Sequence, residues 1–272
     1  MKDCCFRQKD GNGGLFLFQK NRKNRREIRK MEKTLLTRVE DYWNTRAEGY
    51  SLDVQAELSG EDGKRWLTLA HEYLPKDVFP RGLDIGCGPG FFCALLGENG
   101  YRMTGIDCTE GMLRQAQENI QKFAPDAAPV PRLFQMDAES PAFEENSFDF
   151  IITRNLIWNL PHPEKAYESW VRLLRKGGRM LIMDGNYYLH YALPAYGTET
   201  PGASHKHMEG VDVSIINGIA RELPLSFKLR PDWDIEVLEK MGCGIKILSR
   251  TLDTGTDGSE IVRKFVLLAE KL

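Results

Sequence analysis

The chain has 272 residues, with 37 basic and 39 acidic side chains and a formal net charge of −2. This composition is that of a globular protein, and it excludes the collagenous, disulfide-scaffold and fully disordered classes. The near-zero charge also argues against a dedicated nucleic-acid binder, since such proteins attract phosphates with a basic field.

The charge is unevenly distributed along the chain. Residues 1–30 contain ten basic and three acidic residues and no apolar periodicity, so we predict a basic, disordered tail there. A domain of residues 31–272 follows. Two interpretations of the tail remain open: a solvated segment, which the frequency of solvated charge runs favours, or an arm that binds nucleic acid or a membrane.

The six cysteines show no paired metal-ligand spacing, which predicts reduced thiols, a cytoplasmic protein and no metal site. His205 and His207 have a ligand-like spacing, but the sequence offers no third partner, so a solvated loop is favoured over a metal site. The longest apolar run near the N-terminus covers only residues 15–18, too short for a secretory signal or a membrane span.

Apolar residues at helical spacing predict two helices within residues 31–80. Short apolar runs then alternate with amphipathic stretches, which indicates a parallel, doubly wound α/β sheet. The predicted parallel strands cover residues 82–85, 101–106, 132–136, 148–153 and 179–183. The predicted helices between them cover residues 91–96, 112–123 and 164–174.

The C-terminal part has a different pattern. A helix over 233–241 precedes two strands, 245–248 and 264–268, joined by a polar turn containing Gly255 and Gly258. So short a connection favours an antiparallel hairpin, giving a seven-stranded, mostly parallel sheet with one reversed strand. Residues 185–230 lack a clear strand, and their length predicts a helical or loop cap over a functional site.

A glycine-rich turn follows the first strand. Gly86, Gly88 and Gly90 allow a sharp turn and a close approach to a ligand. Phe91 stands where the dinucleotide fingerprint requires a small residue, and Pro89 removes one N–H that a phosphate would use. The turn therefore predicts a nucleoside ligand without a pyrophosphate.

Three carboxylates accompany this turn. Asp107 ends the second strand, where it is placed to accept ribose hydroxyls, and Asp137 ends the third, where it is placed to accept an exocyclic adenine amine. Asp84, inside the first strand, is assigned to the amino-acid end of the ligand. Asp107 and Asp137 also suit a helix cap or a turn, and that alternative stays open.

Together these motifs resemble the class I S-adenosylmethionine-dependent methyltransferases over residues 38–272. The resemblance is carried by the D-x-G-x-G-x-G run at 84–90, Gly-Ile-Asp at 105–107, Met-Asp-Ala-Glu at 136–139, Phe-Asp-Phe-Ile-Ile at 148–152, Lys-Gly-Gly at 176–178 and the reversed last strand. It implies a Rossmann-like fold, S-adenosylmethionine as the cofactor with S-adenosylhomocysteine as its product, and in-line methyl transfer to a small molecule.

The resemblance also implies positions for individual residues. Tyr50 is expected beside the methionine portion, Met112 on the adenine face, where it equally suits the core, and Asn155 near the glycine turn. Arg46 is expected to pair either with the cofactor carboxylate or with a surface acid. The predicted cofactor-binding set is Tyr50, Asp84, Gly86, Gly88, Gly90, Asp107, Cys108, Met112, Asp137, Ala138 and Asn155.

Candidate catalytic residues follow the fourth and fifth strands. Trp158, Tyr187 and Tyr188 are predicted to wall the acceptor pocket, with Tyr187, Tyr188 and His190 as the catalytic set. His190 is the preferred general base because a histidine titrates near neutral pH. An ordinary loop histidine is an equally good interpretation of the same residue.

Two alternative functions remain open at this level. One is a non-catalytic S-adenosylmethionine-binding regulator, and the other is methylation of protein or nucleic acid guided by the basic tail. Asn155-Leu156-Ile157-Trp158 replaces the (N/D)-P-P-(Y/F) loop that base amino methylation uses, which counts against nucleic acid. The expected partner is a small-molecule acceptor, and the sequence gives no oligomeric state.

Overall fold

The computed structural model describes residues 33–196 and 206–272, and residues 35–272 form one compact unit. The α-helices are α1 (Leu35–Ser59), α2 (Glu61–Tyr73), α3 (Phe91–Glu98), α4 (Glu110–Phe123), α5 (Pro163–Leu173), α6 (Val213–Ala220) and α7 (Asp232–Lys240). The strands are β1 (Arg81–Ile85), β2 (Arg102–Asp107), β3 (Arg132–Gln135), β4 (Phe148–Arg154), β5 (Leu174–Gly185), β6 (Cys243–Thr254) and β7 (Glu260–Lys271).

The seven strands form one sheet in the order β3-β2-β1-β4-β5-β7-β6. Neighbours from β3 to β5 pair in parallel, whereas β7 is antiparallel to both β5 and β6. The prediction of a doubly wound sheet with one reversed strand is therefore confirmed. Because the order in which strands are added to the sheet reverses between β1 and β4, the carboxyl ends of these two parallel strands open onto a crevice.

Helices bury both faces of the sheet. Alternate residues of β4 show the division, since Ile151 packs with α5 and α7 while Phe150 and Ile152 pack with α1, α2 and α3. Strand side chains point alternately to opposite faces, so a strand covered on both sides must be apolar at nearly every position. This requirement explains the continuous apolar run Phe-Ile-Ile at 150–152.

Several elements are longer than the sequence patterns indicated. Helix α1 continues to Ser59, β5 begins at Leu174 and includes the Lys-Gly-Gly segment, and β6 and β7 form a long hairpin. Helix α6 lies in the segment predicted as a helical or loop cap, where the sequence analysis assigned no helix bounds. No helix within residues 33–196 or 206–272 combines the length and apolar character needed to cross a bilayer. The predicted tail, residues 1–30, lies outside the described residues, so the proposed domain boundary stays a prediction.

A buried ionic network ties the segment before α7 to the end of β5. The Arg230 guanidinium donates two hydrogen bonds to Asp234, at 2.9 and 2.7 Å, and lies 3.0 Å from Oδ2 of Asp184. The Tyr167 hydroxyl donates to Asp234 at 2.6 Å, and the Asn186 amide bonds both the backbone N–H and the carbonyl of Arg230. One fully buried cation thus holds two buried carboxylates.

We expect Arg230→Met to lower the free energy of unfolding by about 3–5 kcal/mol, because it leaves Asp184 and Asp234 buried without a counter-ion. Urea denaturation followed by circular dichroism measures the change. Lys240→Met is the control, since its ion pair with Glu236 is solvent-exposed and its loss should cost less than about 1 kcal/mol. Equal stabilities of the two variants would contradict the assigned role of Arg230.

Candidate active site

A pocket of about 900 Å³, including its open mouth, lies at the carboxyl ends of β1, β2 and β4. Helix α1 forms one wall of it. Ten of the eleven predicted cofactor residues line this pocket, and Gly90 is the exception. The lining residues are Leu36, Val39, Trp43, Tyr50, Val54, Asp84, Gly86, Cys87, Gly88, Pro89, Phe91, Phe92, Asp107, Cys108, Met112, Asp137, Ala138, Arg154, Asn155, Leu156, Asn159 and Leu160.

The glycine turn shapes the floor of the pocket. Gly88 has a φ of +49°, and a Cβ there would point into a gap, 3.7 Å from Cε1 of Tyr50 and 4.0 Å from Sδ of Met112. Gly90, with a φ of +81°, precedes α3, and a Cβ there would lie 2.9 Å from Cβ of Ala116 in α4. Gly88 therefore leaves space for a ligand, whereas Gly90 permits close packing of the two helices.

Asp107 holds the glycine turn in place. Its Oδ2 accepts a hydrogen bond from the backbone N–H of Gly88 at 3.0 Å. Its Oδ1 accepts from the backbone N–H and the hydroxyl of Thr109, at 2.9 and 2.7 Å. Burial raises the pKa of Asp107, against the lowering effect of these bonds. A carboxylate has about four lone-pair sites, so three internal bonds still leave acceptor capacity for a ligand hydroxyl.

A buried acid and a partly buried cation lie beside the turn. Asp84 lies 3.6 Å from Sγ of Cys93, and burial raises the pKa of Asp84 to about 7, although the Cys93 hydrogen bond and the charge of Arg154 lower it. The Arg154 guanidinium pairs with Glu57 at 2.8 Å and lies 4.3 Å above the ring of Phe91. The pocket therefore offers both signs of charge where an amino-acid group would lie.

Asp137 and its neighbours form a turn at the pocket edge. The Asp137 carboxylate accepts from the backbone N–H of Glu139 at 2.8 Å and from the Ser140 hydroxyl at 3.3 Å. These are the bonds of a turn-forming aspartate, so this alternative and the predicted adenine contact are both compatible with the structure. Cys108 is half-buried, and burial raises the pKa of its thiol, so it is uncharged at neutral pH.

Helix α1 is attached to the rest of the domain by a polar contact. The side-chain oxygen of Asn44 accepts from the backbone N–H of Gly111 at 2.9 Å, in the first turn of α4. A Cβ at Gly111 would collide with that oxygen, so the contact requires glycine. This attachment places Trp43 and Tyr50 against the pocket, with their rings 5.8 Å apart.

Aromatic side chains connect the pocket to the segment after β5. The rings of Trp43 and Trp158 lie 6.5 Å apart, and those of Trp158 and Tyr187 lie 5.6 Å apart. The Tyr187 hydroxyl donates a short hydrogen bond to the side-chain oxygen of Asn155, which has a φ of +55°. Tyr187 thus orients an amide that lines the pocket, although its own ring does not appear on the pocket wall.

The other two predicted catalytic residues lie farther into the cap. The Tyr188 hydroxyl donates to Asn217 at 3.1 Å, and the His190 ring packs 4.3 Å from that of Tyr191. Neither residue lines the pocket formed by the described residues. Burial lowers the pKa of His190, as do the charges of Arg221 and Arg263, so its imidazole is neutral at neutral pH. The catalytic assignments of His190, Tyr187 and Tyr188 stay predictions.

Arg46 and the histidine pair also have defined environments. The Arg46 guanidinium donates to the backbone carbonyl of His207 at 2.7 Å and does not line the pocket in the described part of the chain. The His207 ring lies 2.9 Å from Asp53, while His205 is outside the described residues. Over residues 33–196 and 206–272, no group of three or more metal-ligating side chains is present.

Three pocket residues that matter to its chemistry, two of them in the candidate segment 154–159 after the fourth strand, had no individual role in the sequence analysis. Arg154 interrupts the apolar pattern of β4 at its last position, a signal that was available. Trp43 belongs to the recognised helical pattern but was not assigned to the pocket, and its buried indole N–H has no hydrogen-bond partner. The buried side-chain oxygen of Asn159 is likewise unpartnered, and no local pattern indicated it.

The comparisons with known proteins fit this geometry. Residues 83–182 match the family model described as a methyltransferase domain. This segment of the chain is therefore similar to a methyltransferase domain. The match begins in β1 and ends in β5, so it spans the strands whose ends form the pocket. The resemblance to the class I S-adenosylmethionine-dependent methyltransferases is thereby confirmed.

Curated relatives extend the similarity beyond this methyltransferase segment. The chain is 33% identical over 104 residues to phosphatidylethanolamine N-methyltransferase of Cereibacter sphaeroides, covering 38% of this chain and 50% of that protein. It is 31% identical over 150 residues to demethylmenaquinone methyltransferase of Desulfitobacterium hafniense, covering 54% of this chain and 58% of that protein. The matched part thus spans only about half the length of these relatives.

Solved structures share the fold of the methyltransferase domain. Phosphoethanolamine N-methyltransferase 2 of Haemonchus contortus, solved with S-adenosyl-L-methionine, superposes with a TM-score of 0.62 at 18% identity, covering 89% of this chain and 61% of that chain. A methyltransferase structure from Methanosarcina mazei has a TM-score of 0.52 at 18% identity, covering 75% of this chain and 97% of that one. At these identities the comparisons establish the common fold.

The raised pKa of Asp84 predicts a pH-dependent stability. Between pH 4 and 7 the folded protein binds the Asp84 proton more tightly than the unfolded chain does, so stability falls as the pH rises. At pH 8 we expect Asp84→Asn to be more stable than the wild type by up to about 4 kcal/mol, an advantage that shrinks at pH 5. Urea denaturation at pH 5 and pH 8 measures the difference in free energy of unfolding between the variant and the wild type.

Asp149→Asn provides a control of opposite sign. Burial would raise the pKa of Asp149, but hydrogen bonds from Arg81 and Arg175 outweigh it and lower the pKa. Its ionised form therefore stabilises the fold above pH 4, and its replacement should destabilise the protein at both pH values. An Asp84→Asn effect that is the same at pH 5 and pH 8 would contradict the assigned ionisation.

Proposed function

We propose that the chain transfers a methyl group from S-adenosylmethionine to a small-molecule acceptor. The observation that carries this proposal is the glycine turn, because the N–H of Gly88 is fixed by Asp107 while its α-carbon faces an open gap. Such a turn admits a nucleoside at close range, and Pro89 leaves no N–H at the position where a diphosphate would be held.

The pocket residues suit each part of S-adenosylmethionine in turn. Asp107 keeps an acceptor site for the ribose, and Met112 and Ala138 offer apolar surface for the adenine. Asp84 and Arg154 place opposite charges where the ammonium and carboxylate of the methionine portion would lie. The match of the carboxylates, the cation and the apolar surface to one molecule supports the cofactor assignment.

When bound, S-adenosylmethionine supplies a methyl group whose bond to sulfur breaks as the acceptor's lone pair bonds to the methyl carbon, the electron pair of the broken bond remaining on sulfur. The protein's task is therefore to align the acceptor and exclude water. Trp43 and Tyr50 provide an aromatic wall that suits both tasks and favours a cationic centre, and Trp158 packs against Trp43.

The small-molecule acceptor is supported by the relatives, whose names include a phosphatidylethanolamine N-methyltransferase and a demethylmenaquinone methyltransferase. A non-catalytic binding protein and a protein or nucleic-acid methyltransferase are the alternatives, and no contact of the described residues favours either one. We also propose that the protein acts in the cytoplasm. The four cysteines in the described residues are all free thiols, which supports this location.

We expect Gly88→Arg and Asp107→Ala to weaken the binding of S-adenosylhomocysteine by at least tenfold. The first fills the gap above the turn and strains a positive φ, and the second releases the turn. Isothermal calorimetry measures the affinity, and circular dichroism checks the fold. Gly218→Arg is the matched control, since nothing lies within 4 Å of a Cβ there. Unchanged affinity in both site variants would refute the assignment.

His190→Ala is expected to lower kcat with little change in cofactor affinity if His190 accepts the acceptor's proton. Tyr187→Phe tests whether Tyr187 acts by positioning Asn155. Loss of the Tyr187 hydroxyl frees the Asn155 amide, which should raise the KM for the acceptor. Steady-state formation of S-adenosylhomocysteine measures both. Full activity of His190→Ala would make it an ordinary loop histidine.

A further inference from the structure

A second cavity adjoins the proposed donor pocket. It has a volume of about 1170 Å³, including its open side, and it shares Arg154 and Asn155 with the donor pocket as wall residues. Its floor is formed by β4, β5, β6 and β7, and its opposite wall by Glu57 of α1 and residues 62–69 in α2. None of its residues belongs to the predicted catalytic set.

The position of this cavity follows from the strand directions. The ends of β4, β5 and β6 contribute Arg154, Asp184 and Thr251, while β7 contributes its first half because it runs in the opposite direction. All four strands therefore meet the cavity at one edge of the sheet. This is the edge at which open α/β sheets bind their ligands, so the cavity continues the crevice that holds the donor pocket.

Apolar side chains form part of the cavity wall. Trp66 and Leu69 of α2 lie on the same side of the sheet as Met183 and Val266, and all four line the cavity. Apolar surface of this kind gains free energy when a ligand removes it from water. An entirely polar small molecule would leave it uncovered, so the cavity favours a ligand with an apolar body.

Every charged residue of the cavity wall except one forms an ion pair within the described ranges. Arg65 pairs with Asp62 at 3.2 Å, and Arg154 pairs with Glu57 at 2.8 Å. Asp184 is paired with Arg230 outside the cavity. Lys264 alone among these charged wall residues has no carboxylate within ion-pair distance in the described ranges. Lys264 is therefore the one cationic wall residue in the described ranges that no carboxylate already holds, and it is available to an anionic group of a ligand.

Polar groups accompany this lysine on the same face of the hairpin. Lys264 is directly paired with Thr251 across β6 and β7, and Val266 is paired with Ser249. Directly opposed residues of antiparallel strands project their side chains to the same face, so Thr251 and Lys264 are neighbours on that face. A hydroxyl and an ammonium together suit an anionic oxygen group.

We propose that this second cavity is the acceptor site, and that the acceptor is an amphipathic molecule with a single carboxylate or phosphate group. The anionic group binds Lys264 and Thr251, and the apolar body lies against Trp66 and Leu69. The reacting atom reaches the donor methyl past Asn155, which both cavities share. This inference rests on the proposed methyltransferase function.

The test uses three eight-carbon probes: octyl phosphate, octanoate and 1-octanol. Calorimetry measures their affinity for the full-length protein saturated with S-adenosylhomocysteine. We expect an anionic probe to bind at least tenfold more tightly than octanol, and Lys264→Met to remove that advantage while octanol binding is unchanged. The stronger of the two anions identifies phosphate or carboxylate as the preferred group.

Two further variants locate the binding site. Leu69→Trp fills the apolar part of the cavity and should abolish binding of all three probes. Lys246→Met is the matched control, since Lys246 is an exposed lysine of the same hairpin that lies over Tyr73 and does not line the cavity. It should leave the affinities unchanged.

The failure of this inference is distinguishable from failure of the proposed function. Equal affinity of anionic and neutral probes, or anion binding that survives both Lys264→Met and Leu69→Trp, would overturn the acceptor site. In that case S-adenosylhomocysteine would still bind, and the methyltransferase assignment would stand. Absence of S-adenosylhomocysteine binding to the wild-type protein would instead overturn the proposed function itself.

Discussion

The geometry of the site depends on one hydrogen bond, from the backbone N–H of Gly88 to the carboxylate of Asp107. It joins the turn after β1 to the end of the neighbouring strand β2, and so fixes the position of a segment that has positive φ angles at Gly86, Gly88 and Gly90. Glycine adopts such φ angles at no steric cost, so the position of this turn is set by its hydrogen-bond partners. Here the partner is the same carboxylate that is expected to contact the ribose.

The covering elements are held by a second set of polar contacts. Asn44 attaches α1 to the first turn of α4, and Arg230 attaches the segment before α7 to the end of β5. Both contacts join residues distant in sequence. They explain how long segments outside the α/β core can keep aromatic side chains in defined positions over the carboxyl edge of the sheet.

The sequence was sufficient for the sheet and the glycine turn because both depend on local patterns. A short apolar run bounded by turn residues indicates a buried strand. The motif at 84–90 indicates the turn by the spacing of its glycines. The ends of β5, β6 and β7 were less predictable, because β6 and β7 continue as an exposed hairpin that needs no apolar pattern. Helix α6 is only eight residues long and lies in a segment with several prolines.

The site residues likewise divide into those that a local pattern indicates and those that only the tertiary fold positions. Eight of the ten predicted cofactor residues that line the pocket lie in strands or just after them, and the relative positions of strand ends follow from the topology. The other two, Tyr50 and Met112, lie in helices α1 and α4. His190 and Tyr188 lie after a strand but within the cap, where tertiary packing decides which way a side chain faces. The network around Arg230 left no local signal, since its partners are brought together only by the fold.

The position of Arg154 has a consequence for the energetics of ligand binding. Arg154 lines both cavities, and its guanidinium forms an ion pair with Glu57 at 2.8 Å. A charged ligand in either cavity changes the electrostatic potential at this shared group. Thermodynamic linkage then requires the effect to be mutual: whatever the first ligand does to the affinity of the second, the second does equally to the first.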